Sequence, residues 1–432
     1  MPIIDGDARR KRWVPPPRPD WVERVNSEGR HLDLDAVVPL DENSLLRAAR
    51  ENTGLDDFGD DGWYEPFQVL VRSLNEESRL TLIGRLLTRT DLLLALEGRL
   101  RIEDTYKQHP EIDEEEITAP LFIVGQGRTG TSILQNLLAE DPTSGTVRNW
   151  EVMYPCPPPE AATYRTDPRI EQADRTITMW NRVTPEITSM HDFRGWSATE
   201  SIHLQVLSFR TPAWFDSLWG QVPGFARYMA GEDVAESYRY EKRVLKLLQW
   251  RNPREHWVMK SPFALSHLPK VLEVYPDAGF IWTHRDPVRA VASVVSLIGT
   301  LNWIRSDHPL SGDTLEMLTN PDLAAGLMSQ PIGWLEDGVI PRASLCNVQY
   351  QDFVRDPMAV VGQIYAFFGI ELTDPAAAAM RRYMDDHPRT GRPSHDYDLG
   401  SSEEIQMERA AFKPYQQYFD VPSEIDRQGE SQ

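Results

Sequence analysis

Residues Gly125-Gln126-Gly127-Arg128-Thr129-Gly130-Thr131-Ser132 follow an apolar run, Leu121 to Val124, and precede Ile133, Leu134, Leu137 and Leu138. A strand, a glycine turn and an amphipathic helix in that order form a phosphate cradle, because the unpaired amides at the helix start face an anion. Gly125 and Gly130 have the spacing found in ATPase loops, yet Thr131 stands where those loops carry lysine, and the cation is Arg128 instead. The backbone of Thr129 to Ser132 can hold a phosphate, while nothing in the loop reaches for a γ-phosphate. The pattern points to a nucleotide whose 5′ end carries sulfate.

A second group with chemical potential is His284-Arg285-Asp286-Pro287. Asp286 suits a helix N-cap and Pro287 the first helical position. Along the helix that follows, Val288, Val291, Ala292 and Val295 make an apolar face, and Arg289, Ser293 and Ser296 fall opposite. Arg285 and Ser293 can face a ligand at the carboxyl edge of the sheet, where an arginine fork plus a hydroxyl fits a phosphate monoester. The competing reading is that Arg285 pairs with a neighbouring carboxylate. Lys260 ends an apolar segment in Trp257-Val-Met-Lys-Ser-Pro262 and is either a site lysine or a surface lysine at a strand end.

With these motifs in view, the chain resembles the sulfotransferase superfamily that uses 3′-phosphoadenylyl sulfate, in its bacterial and tyrosylprotein-type branch. The loop at 125–132 is similar to the family's 5′-phosphosulfate loop, with Gly127 in place of a proline and Ser132 in place of a threonine. Arg285 and Ser293 resemble its 3′-phosphate element, and the segment around Lys260 resembles the one that supplies an active-site lysine. Tyr350-Gln-Asp352 looks like a Tyr-Glu-Asp segment ahead of a late helix, and Arg389-Thr-Gly391-Arg392 resembles the loop that closes over the nucleotide.

The resemblance implies 3′-phosphoadenylyl sulfate as cosubstrate, no metal, and Gly127, Arg128, Thr129, Gly130, Thr131, Ser132, Arg285, Ser293, Tyr350, Arg389, Gly391 and Arg392 as its binding residues. Sulfuryl transfer needs a cation at the leaving oxygen and a base at the attacking hydroxyl. Arg128 and Lys260 are the expected cations. Pro262 occupies the place where many relatives carry a histidine base, so Glu151, in Asn-Trp-Glu-Val-Met, is the expected base by its similarity to the branch in which a glutamate stands there. His191, Glu200, His203 and His267 are its rivals. Two other classes stay open: a P-loop nucleotide kinase or phosphotransferase, and a non-catalytic nucleotide-binding protein on the same fold.

Strands at 121–124, 257–259 and 280–283, with helices between them, predict an α/β fold with a central parallel sheet, a P-loop-type nucleotide site and flanking helices. Leu45, Leu46 and Ala49 before Gly54, and Ile83, Leu86 and Leu87, add a helical N-terminal unit. The expected layout is a flexible arm over 1–34, the helical unit over 35–117, the α/β domain over 118–420 and a flexible tail over 421–432. Within the α/β domain, an insertion at about 150–250 is expected to line the acceptor pocket. That insertion concentrates Trp180, Trp196, Trp214, Phe215, Trp219 and Phe225, aromatic walls suited to a hydrophobic alcohol, phenol, sterol or lipid.

The formal net charge of −21 argues against nucleic acid or another polyanion as partner. Two cysteines, Cys156 and Cys346, make no disulfide framework, and the basic, proline-rich start has no signal-peptide core. A cytoplasmic enzyme with no membrane span and a small-molecule acceptor is the expectation. Self-association into a homo-oligomer stays open.

Overall fold

A computed structural model of the chain describes residues 14–190, 193–211, 222–308, 319–388 and 401–425. Among the described residues five strands form one parallel sheet: β1 (Leu121–Val124), β2 (Ser144–Gly145), β3 (His256–Lys260), β4 (Gly279–His284) and β5 (Leu345–Gln349), in the order β2-β3-β1-β4-β5. β1 is central. Leu121 pairs with Val258 on one side and Gly279 on the other, and the register carries Ile123 alongside Lys260 and Ile281.

Alternation along β1 explains why it lies in the middle. Leu121 and Ile123 enter one apolar cluster with Leu134, Leu137, Val258 and Ile281, whereas Phe122 and Val124 enter another with Trp257, Met259, Phe280 and Trp282. Both faces are therefore covered by helices, as parallel sheets require. Each large apolar side chain so buried contributes roughly 1.5–3 kcal/mol. The connections leaving β1 and β4 run to opposite sides, which makes the carboxyl edge between these two strands the crevice of the fold.

The expected strands at 257–259 and 280–283 lie inside β3 and β4. β2 and β5 were not foreseen: β2 has two residues, and β5 interrupts its apolar run with Asn347 and Gln349, as an edge strand can. The helix Pro357–Phe368 ends at Gly369 with φ 68°, and Asp41, accepting from Ser44 N–H, caps Glu42–Thr53. Burial pushes the Cys156 and Cys346 thiols up to about 11, so neither is a nucleophile near neutral pH.

The arm expected over 1–34 differs in its described part. Residues Asp20–Gly29 form a helix whose Val22 is buried with Ile83, Leu87 and Ile304, and Arg18 lies 3.6 Å over the Trp303 ring. Ten residues are too short for a convincing period, so the partner surface, not the local pattern, decides this helix. The tail expected over 421–432 also docks at its start, with Val421 and Ile425 buried.

By length and composition the helix Pro287–Arg305 could cross a membrane, yet 62% of its apolar window is buried inside the protein. Its start is the one the sequence specifies, with Asp286 accepting from Val288 N–H and Pro287 first in the helix.

Candidate active site

At the end of β1 the chain turns at Gly125 with φ 136°, where a Cβ would lie 2.7 Å from Thr283 Oγ1 and 2.8 Å from Thr283 O. Only glycine fits there without displacing β4. Gly130, φ 89°, caps the loop helix Thr131–Leu138, and a Cβ on it would approach the Tyr350 ring at 3.2 Å. Between them Arg128 adopts a left-handed φ of 68° and is exposed, while the Thr129 hydroxyl donates to Gln126 O at 2.7 Å and meets Thr283 Oγ1 at 2.6 Å. The loop is thus braced against β4, and the first turn of the helix has amides without intrahelical acceptors, as every helix start does.

Arg285 leaves the end of β4 and reaches this loop. Its Nη1 donates to Arg128 O at 2.8 Å, and its guanidinium lies 4.1 Å from the centre of the Tyr350 ring. Arg285, the loop and Tyr350 are therefore adjacent. The Nε and Nη2 edge of Arg285 meets a carboxylate, that of Glu424, at 2.9 to 3.2 Å. Ser293 lies on the helix Pro287–Arg305, but its side chain, like Arg389, Gly391 and Arg392, falls outside the described residues.

Lys260 ends β3 beside β1, and its side chain is 5% exposed. Nζ donates to Ser132 Oγ at 3.0 Å and pairs with Glu200 Oε1 at 2.9 Å. A buried ammonium is tolerated only with such partners. Glu200 is held there by its neighbours. Ser201 N–H donates to Lys260 O at 2.9 Å, Thr199 N–H donates to Val147 O at 2.9 Å, and Gln135 of the loop helix donates to Thr199 O at 2.8 Å.

Glu151 sits elsewhere. It is 1% exposed, with Oε2 accepting from Arg148 N–H at 3.0 Å and Oε1 from the Tyr164 hydroxyl at 2.9 Å. Burial pushes its carboxyl up, against the pull of Arg148 and Arg254. The first of these bonds is half of a capping box at the helix Asn149–Met153. The expected base therefore has both oxygens engaged in holding its own segment.

Among the rivals, His203 shares a 2.8 Å contact between Nδ1 and Thr199 Oγ1, and burial lowers its imidazole below the usual range while Glu200 opposes that shift. His267 contacts Phe263 O at 3.0 Å at the start of Leu268–Val274 and is likewise lowered by burial. His191 lies outside the described residues.

Of the six aromatic residues expected to line the acceptor pocket, three lie among the described residues. Phe225 is fully buried in the main core, Trp196 is covered by Arg148 at 3.8 Å and packs with Tyr164, and Trp180 packs near Arg305. Trp214, Phe215 and Trp219 lie outside the described residues.

Sequence reasoning missed Glu424, whose only signal is that Val421 and Ile425 flank it as apolar residues in an otherwise polar tail. It also missed Gln135, a polar residue within the apolar stripe of the loop helix. Among the described residues no group of three His, Cys, Asp or Glu side chains could hold a metal ion.

A model of the Sulfotransferase family matches residues 120–374, more than half of the chain, and the protein belongs to that family. It is a sulfotransferase on a central parallel sheet with a P-loop-type site. The omega-hydroxy-beta-dihydromenaquinone-9 sulfotransferase Stf3 of Mycobacterium bovis is 24% identical over 278 residues, which span 62% of this chain and 67% of that protein. Among solved structures, sulfotransferase STF1 of Mycobacterium tuberculosis H37Rv superposes with a TM-score of 0.71 at 27% identity, covering 87% of this chain and 98% of its own. Sulfotransferase STF9 of Mycobacterium avium gives 0.73 at 26% identity, covering 88% and 97%.

Proposed function

We propose that the enzyme transfers a sulfuryl group from 3′-phosphoadenylyl sulfate to the hydroxyl of a hydrophobic, lipid-like small molecule. The observation that carries this reading is the contact between Arg285 Nη1 and Arg128 O, with Tyr350 against both Arg285 and Gly130. Two anion grips that touch can share one nucleotide with phosphates at its 5′ and 3′ positions. A glycine cradle that a Cβ would fill supports the fit at the 5′ end. The acceptor class rests on the relative whose name specifies an omega-hydroxy menaquinone, a lipid carrying a terminal hydroxyl.

When bound, the cosubstrate supplies a sulfuryl group on a phosphate leaving oxygen. The acceptor oxygen bonds to sulfur as the sulfur–oxygen bond to the phosphate breaks, and negative charge grows on the phosphate side. Arg128, Lys260 and the amides of Thr129 to Ser132 oppose that charge. The hydroxyl proton goes to a carboxylate, and Glu200 is better placed than Glu151, because it pairs with Lys260, whose Nζ also donates to Ser132 of the loop, whereas Glu151 accepts from Arg148 N–H and the Tyr164 hydroxyl.

Calorimetry with adenosine 3′,5′-bisphosphate and with ATP tests the donor, and sulfuryl transfer to a panel of long-chain alcohols, sterols and phenols tests the acceptor. Bisphosphate binding together with transfer to the long-chain alcohols is expected. Binding of ATP alone would overturn the donor, and transfer confined to phenols would overturn the acceptor class.

A further inference from the structure

The fork of Arg285 faces a residue of the chain's own C-terminal segment. Glu424 takes the Nε and Nη2 edge with contacts at 2.9, 3.2 and 2.9 Å, and Arg289 Nε approaches the same carboxylate at 3.5 Å. Arg285 and Glu424 side chains are 14% and 16% exposed, so the pair is partly desolvated. Two guanidiniums share one carboxylate. The neighbouring Asp286 is committed to Arg409, which grips both its oxygens.

A phosphate monoester carries nearly two negative charges and three acceptor oxygens and matches the same planar fork. It satisfies this pair of cations better than a single carboxylate does. We propose that Glu424 is an internal occupant of the 3′-phosphate position, a residue that sets cosubstrate affinity by competing for Arg285. The inference rests on Arg285 being the 3′-phosphate grip.

Competition requires that the Glu424 side chain leave while its segment stays, and the backbone meets that condition. Glu424 N–H donates to Asp286 Oδ2 at 2.7 Å, Arg409 Nη2 donates to Ile425 O at 3.0 Å, and Ile425 is buried against Val288 and Ile405. Those anchors are independent of the carboxylate. On binding, the 3′-phosphate displaces one side chain, and the displaced carboxylate stands ready to take the fork back when the bisphosphate product leaves. Occupancy by Glu424 lowers apparent affinity by the fraction of protein in which the fork is taken.

The test measures dissociation constants of adenosine 3′,5′-bisphosphate and adenosine 5′-monophosphate for the full chain and for Glu424→Gln, with Glu424→Ala as a second variant. The expected result has three parts. The unaltered protein prefers the bisphosphate, both substitutions tighten bisphosphate binding by about three- to tenfold, and monophosphate binding stays the same. The gain shrinks as salt rises, because the competing contact is ionic. If the preference for the bisphosphate exists but is unchanged or reduced in the variants, Glu424 supports the fork and does not compete for it, and the inference fails alone. If the unaltered protein shows no preference for the 3′-phosphate, the assignment of Arg285 fails and takes the inference with it.

Discussion

On the proposed donor side of the site, the groups come from strand ends or the residue just past them: Gly125 after β1, Lys260 at the end of β3, Arg285 after β4 and Tyr350 after β5. On the proposed acceptor side, Glu200 comes from the long helical connection between β2 and β3, joined to the sheet by Ser201 N–H on Lys260 O and to the loop helix through Gln135. Sheet register places the first set, since neighbouring parallel strands bring their ends to one edge. Individual side-chain and backbone bonds place the second. A site made half by register and half by such bonds should respond differently to substitution on its two sides.

The sharpest break of that comparison is between two carboxylates. Glu200→Gln should lower turnover by about 100- to 10,000-fold while leaving bisphosphate affinity near that of the unaltered protein. Glu151→Gln should instead lower stability by about 1–3 kcal/mol, seen as an earlier melting transition, with turnover largely kept at low temperature. Steady-state kinetics beside thermal denaturation reads both, and an active, stable Glu200→Gln protein would move the base elsewhere.

On the donor side, Gly130→Ala forces a left-handed φ on alanine and brings a Cβ to the Tyr350 ring. A strain of about 1–2 kcal/mol is expected to weaken bisphosphate binding by roughly tenfold, with no matching change in the affinity for the acceptor. An unaltered dissociation constant would show that the turn does not shape the cradle.

An effect on stability alone concerns Glu241, which is fully buried and accepts from Gln205 at 2.9 Å and from the Tyr275 hydroxyl at 3.2 Å. Burial raises its carboxyl from 4.5 to about 8. The folded state therefore holds this proton more tightly than the unfolded chain does, so its contribution to stability is full below pH 4.5 and declines as pH rises to about 8. Glu241→Gln should flatten that decline, leaving the variant the more stable protein under alkaline conditions. Denaturant unfolding between about pH 5 and pH 9 measures it, and parallel curves for the two proteins would assign the slope to other groups.

Much of the donor side was legible in the chain itself. Gly125 and Gly130 announce positive φ, Asp286-Pro287 announces a helix start, and four apolar residues before a glycine announce β1. The acceptor side was not, because Glu200 carries no local pattern that separates it from Glu151. Both are single acids in mixed segments, and which of them meets Lys260 depends on bonds to distant residues. The docked C-terminal segment was illegible for the same reason: Glu424 reads as part of a polar tail until Val288 and Ile405 provide a seat for Ile425.

By itself, then, the order of residues determined the strand-turn-helix cradle, the capped helix behind Arg285 and the alternation that buries both faces of β1. These depend on backbone preference and on periods of two and 3.6, which a linear chain already contains. The folded structure alone decided that Arg285 lies against the loop, that Lys260 meets Glu200 while Glu151 is enclosed by Arg148 and Tyr164, and that Glu424 occupies the arginine fork. Each of these joins residues far apart in sequence, and such pairings are fixed by the packing of whole elements.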